Sequence, residues 1–134
     1  MILGFKKQFK PLILADKKIH TIREDSKDRW HEGKKIHFAT GARSADYNCF
    51  KEGEVKGIQY IYMTYYNYQF EVSIGDDHYC NKYLHWNEID QIAKNDGFDG
   101  YHEFYMWFVR AIKNNETNKF FGKIIHWTDF KYDT

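Results

Sequence analysis

Ile13-Leu14-Ala15-Asp16-Lys17-Lys18-Ile19-His20-Thr21-Ile22-Arg23 is the stretch on which the reading of this chain turns. Phe5, Phe9, Leu12 and Ile13 recur at helical spacing over Phe5 to Asp16. Pro11 limits how much of that segment is regular helix, because proline is tolerated only in a first turn. Ile19 to Arg23 then alternates β-branched with polar residues, the pattern of a short strand. A helix thus ends in two lysines and passes straight into a strand bearing Thr21 and Arg23. Ordinary structural chemistry accounts for each part: lysine at a helix C-terminus complements the dipole, and threonine suits strands. Lys18 and Thr21 face opposite ways on a straight strand and meet most readily if a tight turn joins helix to strand. Arg23, two residues after Thr21, shares its strand face and is suited to grip a phosphate or a base edge.

Outward from this stretch, Glu24 to Glu32 is charged and loop-like, and Gly33 introduces a second strand over Lys34–Thr40, stopped by Gly41. Residues 42–52 read as irregular. Val55 to Ile74 carries the strongest β signal, with Ile58, Tyr60, Tyr62, Thr64 and Tyr66 on one parity and Ile61, Met63 and Tyr65 on the other. A strand apolar on both faces is buried or has one face covered by helix. Asn67 breaks the run into a hairpin, and Gly75-Asp76-Asp77 reads as a turn. Two helices follow. Asn87 is expected to cap the first, which carries Ile89, Ile92 and Ala93 and stops at Gly97. Asp99 is expected to cap the second, with Tyr101, Phe104, Tyr105, Phe108, Ala111 and Ile112 on one face. Phe120 to Phe130 closes as a strand. With no repeat and no linker, residues 1–134 read as one α+β domain.

Composition narrows the function. Hydrophobic residues make up 43%, enough for a packed core rather than disorder. Most of the 11 Tyr, 11 Phe and 4 Trp fill that core, which leaves a few rings free to stack on a base or a partner. A net charge of +1 excludes a uniformly basic nucleic-acid coat. Residues 1–56 hold 13 Lys/Arg against 8 Asp/Glu and residues 57–134 hold 7 against 11, so any phosphate-facing surface belongs to the first part. Cys49 and Cys80 form no disulfide framework. No secretory pattern and no membrane-length apolar run occur, so a cytoplasmic, reduced protein without membrane contact is expected. The 7 His lie without HxH, HxxxH or HExxH spacing, and glycine-rich phosphate loops are missing, so neither a metal nor a cofactor is expected.

The Lys17-Lys18-Ile19-His20-Thr21-Ile22-Arg23 passage resembles the K-K-x-x-T-I-R signature of ASCH domains, small proteins of the PUA-like superfamily. The resemblance continues through Gly33, Thr40-Gly41-Ala42-Arg43, the Ile92-Ala93-Lys94-Asn95-Asp96-Gly97-Phe98 passage before the second helix, and Lys123 to Phe130. It spans nearly the whole chain. It implies a PUA-like mixed β-barrel with flanking helices and a function in binding RNA or a modified nucleoside. Small ASCH proteins also include amidohydrolases that deacylate N4-acetylcytidine-type nucleosides. By position the resemblance makes Lys18, Thr21 and Asp96 the catalytic set, with Lys17, Arg23 and Arg43 as a ligand-binding rim.

The chemistry of such a set is coherent. A threonine hydroxyl needs a base, and lysine serves as one only when burial or nearby cations lower its pKa. A carboxylate then orients the lysine or moves protons to the leaving amine. Asp96 stands where the hydrolases carry Glu, one methylene shorter, and is expected to fall short by about 1 Å. Binding without catalysis is therefore the leading reading. Hydrolysis is the alternative, and a phage or mobile-element accessory module that binds protein through its tyrosines is the third.

Overall fold

The computed structural model describes residues 1–134 and contains three α-helices and two sheets. In chain order the elements are β1 (Ile2–Phe5), a short 3-10 turn (Lys7–Phe9), α1 (Lys10–Leu14), β2 (His20–Arg23), β3 (Lys35–Thr40) and β4 (Asn48–Glu54). They continue with β5 (Gly57–Tyr66), β6 (Gln69–Gly75), β7 (Lys82–Tyr83), α2 (Trp86–Asn95), α3 (Tyr101–Lys113) and β8 (Lys119–His126). The smaller sheet has the order β1-β3-β4, with β1 parallel to β3; the larger is antiparallel with the order β2-β8-β5-β6-β7. The α+β class stands. No ladder joins the two sheets into a closed barrel.

The long β5 strand explains the layering. Ile61 and Met63 are fully buried, and the same parity on β6 and β8 supplies Val72, Ile74, Phe120 and Ile124. These residues and the buried faces of α2 and α3 belong to one core cluster of 25 residues; the helices contribute Ile89, Ile92, Phe104, Phe108 and Ile112. Phe108 meets Phe120 edge-on at 5.3 Å between centroids. The opposite parity of β5, Tyr60 and Tyr62, is only half-buried. Trp127, just past β8, packs edge-on against Phe5 and Phe38 and so fastens the smaller sheet to the larger.

Several local expectations are corrected by tertiary context. Ile2–Phe5 is a strand because its backbone pairs with His37–Thr40, a partner more than thirty residues away. Asn48–Glu54, most of it within the 42–52 stretch read as irregular, is a strand because it pairs with β3, and the register shift at Phe38/Ala39 breaks the alternation that would have marked it. The α2 cap is His85, with Glu88 closing a capping box, rather than Asn87. Tyr101 at the start of α3 donates its N–H to Asp90, at 2.8 Å, rather than to an Asp99 cap. The β5–β6 hairpin turns on Asn67 and Tyr68, both at positive φ, as a two-residue turn requires. No helix is long and apolar enough to cross a membrane.

Candidate functional site

β1 and β2 are each the outer strand of their own sheet, and they do not pair with one another. The seam between these two edges holds a cavity of about 290 Å³. Gly4 and Phe5 line it from β1, Thr21, Ile22 and Arg23 from β2, and Phe9 and Lys18 from the segment between. Asp96, Phe98, Trp107 and Phe108 close it from the helical side, and Lys6 stands at its rim. Arg23 bridges the seam: its Nη2 donates to the Gly4 carbonyl at 2.6 Å and its Nε to Thr21 Oγ1 at 3.1 Å. The Thr21–Arg23 contact follows from the two-residue period of a strand.

Lys18 reaches this cavity because the chain turns sharply before β2. α1 ends at Leu14, Asp16 takes a left-handed φ of 58°, and the Lys17 and Lys18 amides both donate to the Leu12 carbonyl. The Ile19 amide then donates to the Asn95 carbonyl at 2.9 Å, which registers the start of β2 against the end of α2. Lys18 therefore complements the C-terminal dipole of α2, not that of α1. Its Nζ donates to the Asp96 carbonyl at 2.5 Å and to Asp96 Oδ1 at 3.0 Å, and the residue is 2% exposed. Gly97 permits this approach. It has a φ of +94°, and a Cβ there would come within 3.0 Å of Lys18 Cδ.

Burial pulls the Lys18 pKa below that of free lysine, against the opposing pull of Asp96 and with some help from the Arg23 charge. Desolvation likewise lowers the Arg23 pKa. The Lys18 ammonium also lies 4.8 Å from the Phe9 ring centroid. The shorter carboxylate at position 96 therefore meets its lysine. The contact is made possible by the main-chain register that places the Asp96 backbone against Lys18.

Asp96 has a second partner that the sequence did not point to. His20 Nδ1 lies 3.1 Å from Asp96 Oδ1, and His20 Nε2 lies 2.6 Å from the Tyr132 hydroxyl. Tyr132 also receives a hydrogen bond from Asn95 Nδ2 at 3.0 Å. Its backbone is held by Gln59, which accepts from the Tyr132 amide and donates to its carbonyl. Burial lowers the His20 pKa and raises that of Tyr132. His20 is the strand neighbour of Thr21 and points to the opposite face, so period two was the only available hint of its role. Nothing local marks Tyr132, which arrives from the far end of the chain.

The other expected site residues are placed differently. Lys17 is exposed and does not line the cavity. Arg43, exposed in the β3–β4 loop with a φ of 64°, also stands outside it. Of Lys17, Arg23 and Arg43, only Arg23 lines the cavity, where Lys6 joins it, because the turn at Asp16 sends Lys18 inward and leaves Lys17 in solvent. Phe9, Phe98 and Trp107 form the aromatic wall, with Trp107 edge-on to Phe9 at 5.9 Å and to Phe98 at 5.5 Å. No three His, Cys, Asp or Glu side chains gather in a group that could hold a metal. Tyr66, Tyr68, Tyr79, Tyr83 and Trp86 are exposed elsewhere. Comparison of the chain with protein-family models, with curated proteins and with solved structures finds no match.

Proposed function

We propose that this is an ASCH-like, PUA-like protein whose seam cavity recognises a single nucleoside unit, either a modified nucleoside or one exposed nucleoside of an RNA. The observation that carries the reading is one cavity combining an aromatic wall (Phe9, Phe98, Trp107) with convergent polar groups (Lys18, Thr21, Arg23, Asp96). That mixture of apolar lining and a few placed polar groups is typical of small-ligand sites, and about 290 Å³ lies at their small end. One ring and its sugar fit that scale, whereas a run of stacked bases does not. Binding of single-stranded RNA or of modified nucleosides such as N4-acetylcytidine, measured by calorimetry at low salt, tests it. Measurable affinity that is lost on Trp107→Ala supports the reading, and no binding to either class overturns it.

A second reading, deacylation of N4-acetylcytidine-type nucleosides, is favoured by a specific observation. Lys18 is buried, has a lowered pKa, and shares the cavity with the Thr21 hydroxyl. In this reading Lys18 in its neutral form takes the Thr21 proton as Thr21 Oγ1 attacks the acyl carbon; the C–N bond breaks as Lys18 returns that proton to the leaving amine, and water then hydrolyses the acyl-Thr21 ester to release acetate. Asp96 orients Lys18 and is itself held by His20. Acetate release is expected to rise with pH through a group that titrates below free lysine, and to vanish in both Lys18→Ala and Thr21→Ala. A protein inert toward a panel of acylated nucleosides removes hydrolysis and leaves binding.

A further inference from the structure

The charges around the cavity do not balance. Lys6, Lys18 and Arg23 face it with one carboxylate, Asp96. Asp96 is already engaged by both Lys18 and His20. Neither Arg23 nor Lys6 makes an ion pair with any carboxylate of the chain. A guanidinium carries five N–H donors. Those of Arg23 meet only two acceptors, both neutral, Thr21 Oγ1 and the Gly4 carbonyl, and Nη1 donates to no protein group. The guanidinium carbon lies over Phe5, 5.1 Å from the ring centroid, a cation–π contact that helps hold the group at the cavity wall. Lys6 is held in a comparable way, its ammonium 4.7 Å from the Trp107 ring centroid at the rim.

A half-buried guanidinium with free donors and no carboxylate in ion-pair contact, Asp96 acting on it only from a distance, suits an anion, and its planar fork matches the oxygens of a phosphate. The cation pair sits beside the ring wall, so anion and ring belong to one small ligand. We propose that the cavity takes a phosphorylated nucleoside, its phosphate between Arg23 and Lys6 and its base against Trp107 and Phe9. This rests on the nucleoside reading above and narrows it to ligands whose phosphate is itself recognised. The ligand is either a free mononucleotide or the phosphorylated end of an RNA.

The test is titration calorimetry with the four ribonucleosides and N4-acetylcytidine, each against its 5′-monophosphate. A hexanucleotide with and without a 5′-phosphate is the second arm. For at least one base the monophosphate is expected to bind at least about tenfold tighter than the nucleoside, and the ratio should shrink as salt is raised. Arg23→Gln is expected to bring the ratio to within about twofold of unity, and Lys6→Gln to reduce it several-fold. Lys6 is exposed, so its variant carries the test if Arg23→Gln does not fold by circular dichroism. Preference for the phosphorylated hexanucleotide over the mononucleotide identifies an RNA end; the reverse identifies a free nucleotide. Equal affinity for nucleoside and monophosphate, or a ratio untouched by both variants, overturns the phosphate assignment and leaves the nucleoside site standing. Failure of every nucleoside and nucleotide to bind overturns both.

Discussion

Two buried lysines, Lys18 and Lys123, sit in opposite chemical situations. Lys123, on β8, is 5% exposed and donates to Asp25 Oδ2 at 2.9 Å, to the Trp30 carbonyl at 3.0 Å and to Asp28. Asp25 in turn accepts from the Arg29 and Trp30 amides. Burial alone would pull the Lys123 pKa down, but the bonds to Asp28 and Asp25 outweigh it and hold the value up. This ammonium is fully answered and does not line the seam cavity; it pins the 24–32 loop to the sheet. Lys18 shares one carboxylate with His20, has Arg23 as a charged neighbour, and has its pKa lowered. The same residue type is a fastener in one place and, in the proposed function, a base or ligand contact in the other. The deeper desolvation of Lys18, with only one shared carboxylate against it, makes the difference.

Removing the fastener is expected to cost the most. Lys123→Met leaves Asp25 with an unpaired charge against the sheet, and a loss of about 3 kcal/mol, or roughly 10 °C in Tm, is expected. Thermal denaturation checks it, and a change under 1 kcal/mol would break the contrast by showing that the loop does not depend on its lysine.

Acid should separate the two regions next. His126, fully buried beside His20, has its pKa pushed down to about 3 by burial, and His20 is lowered in the same direction. Below the ordinary histidine value of about 6.5 the unfolded chain takes up protons that the native chain refuses, so native stability falls as pH falls. The slope is about 1.4 kcal/mol per pH unit for each such histidine. Asp25 and Asp28 also have lowered pKa values. For Asp25 desolvation is outweighed by the amide bonds from Trp30 and Arg29 and by Lys123; for Asp28 the Lys123 contact dominates. Their contribution is present above the ordinary carboxylate value and is lost only below it. Denaturant titrations between pH 7 and pH 3 should therefore lose stability first in the histidine range, through His20 and His126. His126→Gln should flatten that limb, and an unchanged acid limb in this variant would remove the histidine explanation.

The smallest effect is expected where the pair is replaced as a unit. Lys18→Met combined with Asp96→Asn removes both charges together and should change stability by less than about 1 kcal/mol, because a buried ion pair rarely outdoes neutral packing. The same variant should lose ligand affinity. A large stability loss in equilibrium unfolding would instead make Lys18 a second fastener and erase the distinction from Lys123.

Much of this was legible in the residue order. Alternation marked β2 and β3, Asn67 marked the hairpin, and Gly97 marked the end of α2, all through short-range geometry of the backbone. Thr21 and Arg23 fell on one strand face for the same reason. β1 and β4 were missed because their strand character comes from pairing with β3, and polar or chain-end segments carry little intrinsic signal. Asn87 and Asp99 were plausible caps whose places were taken by His85 and by Asp90 of a neighbouring helix. Lys17 and Lys18 look alike in sequence; one turn residue, Asp16, sends one outward and the other inward.

By itself, then, the sequence determined most of the elements, β1 and β4 excepted, and which side chains share a face, because those depend on neighbours two to four positions apart. The contact of Lys18 with Asp96, 78 residues away and grouped with it beforehand only by the family resemblance, was decided by tertiary structure. So were the tie from that aspartate through His20 to Tyr132 and the seam left between two unpaired strand edges. Burial and charge balance are sums over contacts from every part of the chain, and no local pattern carries them.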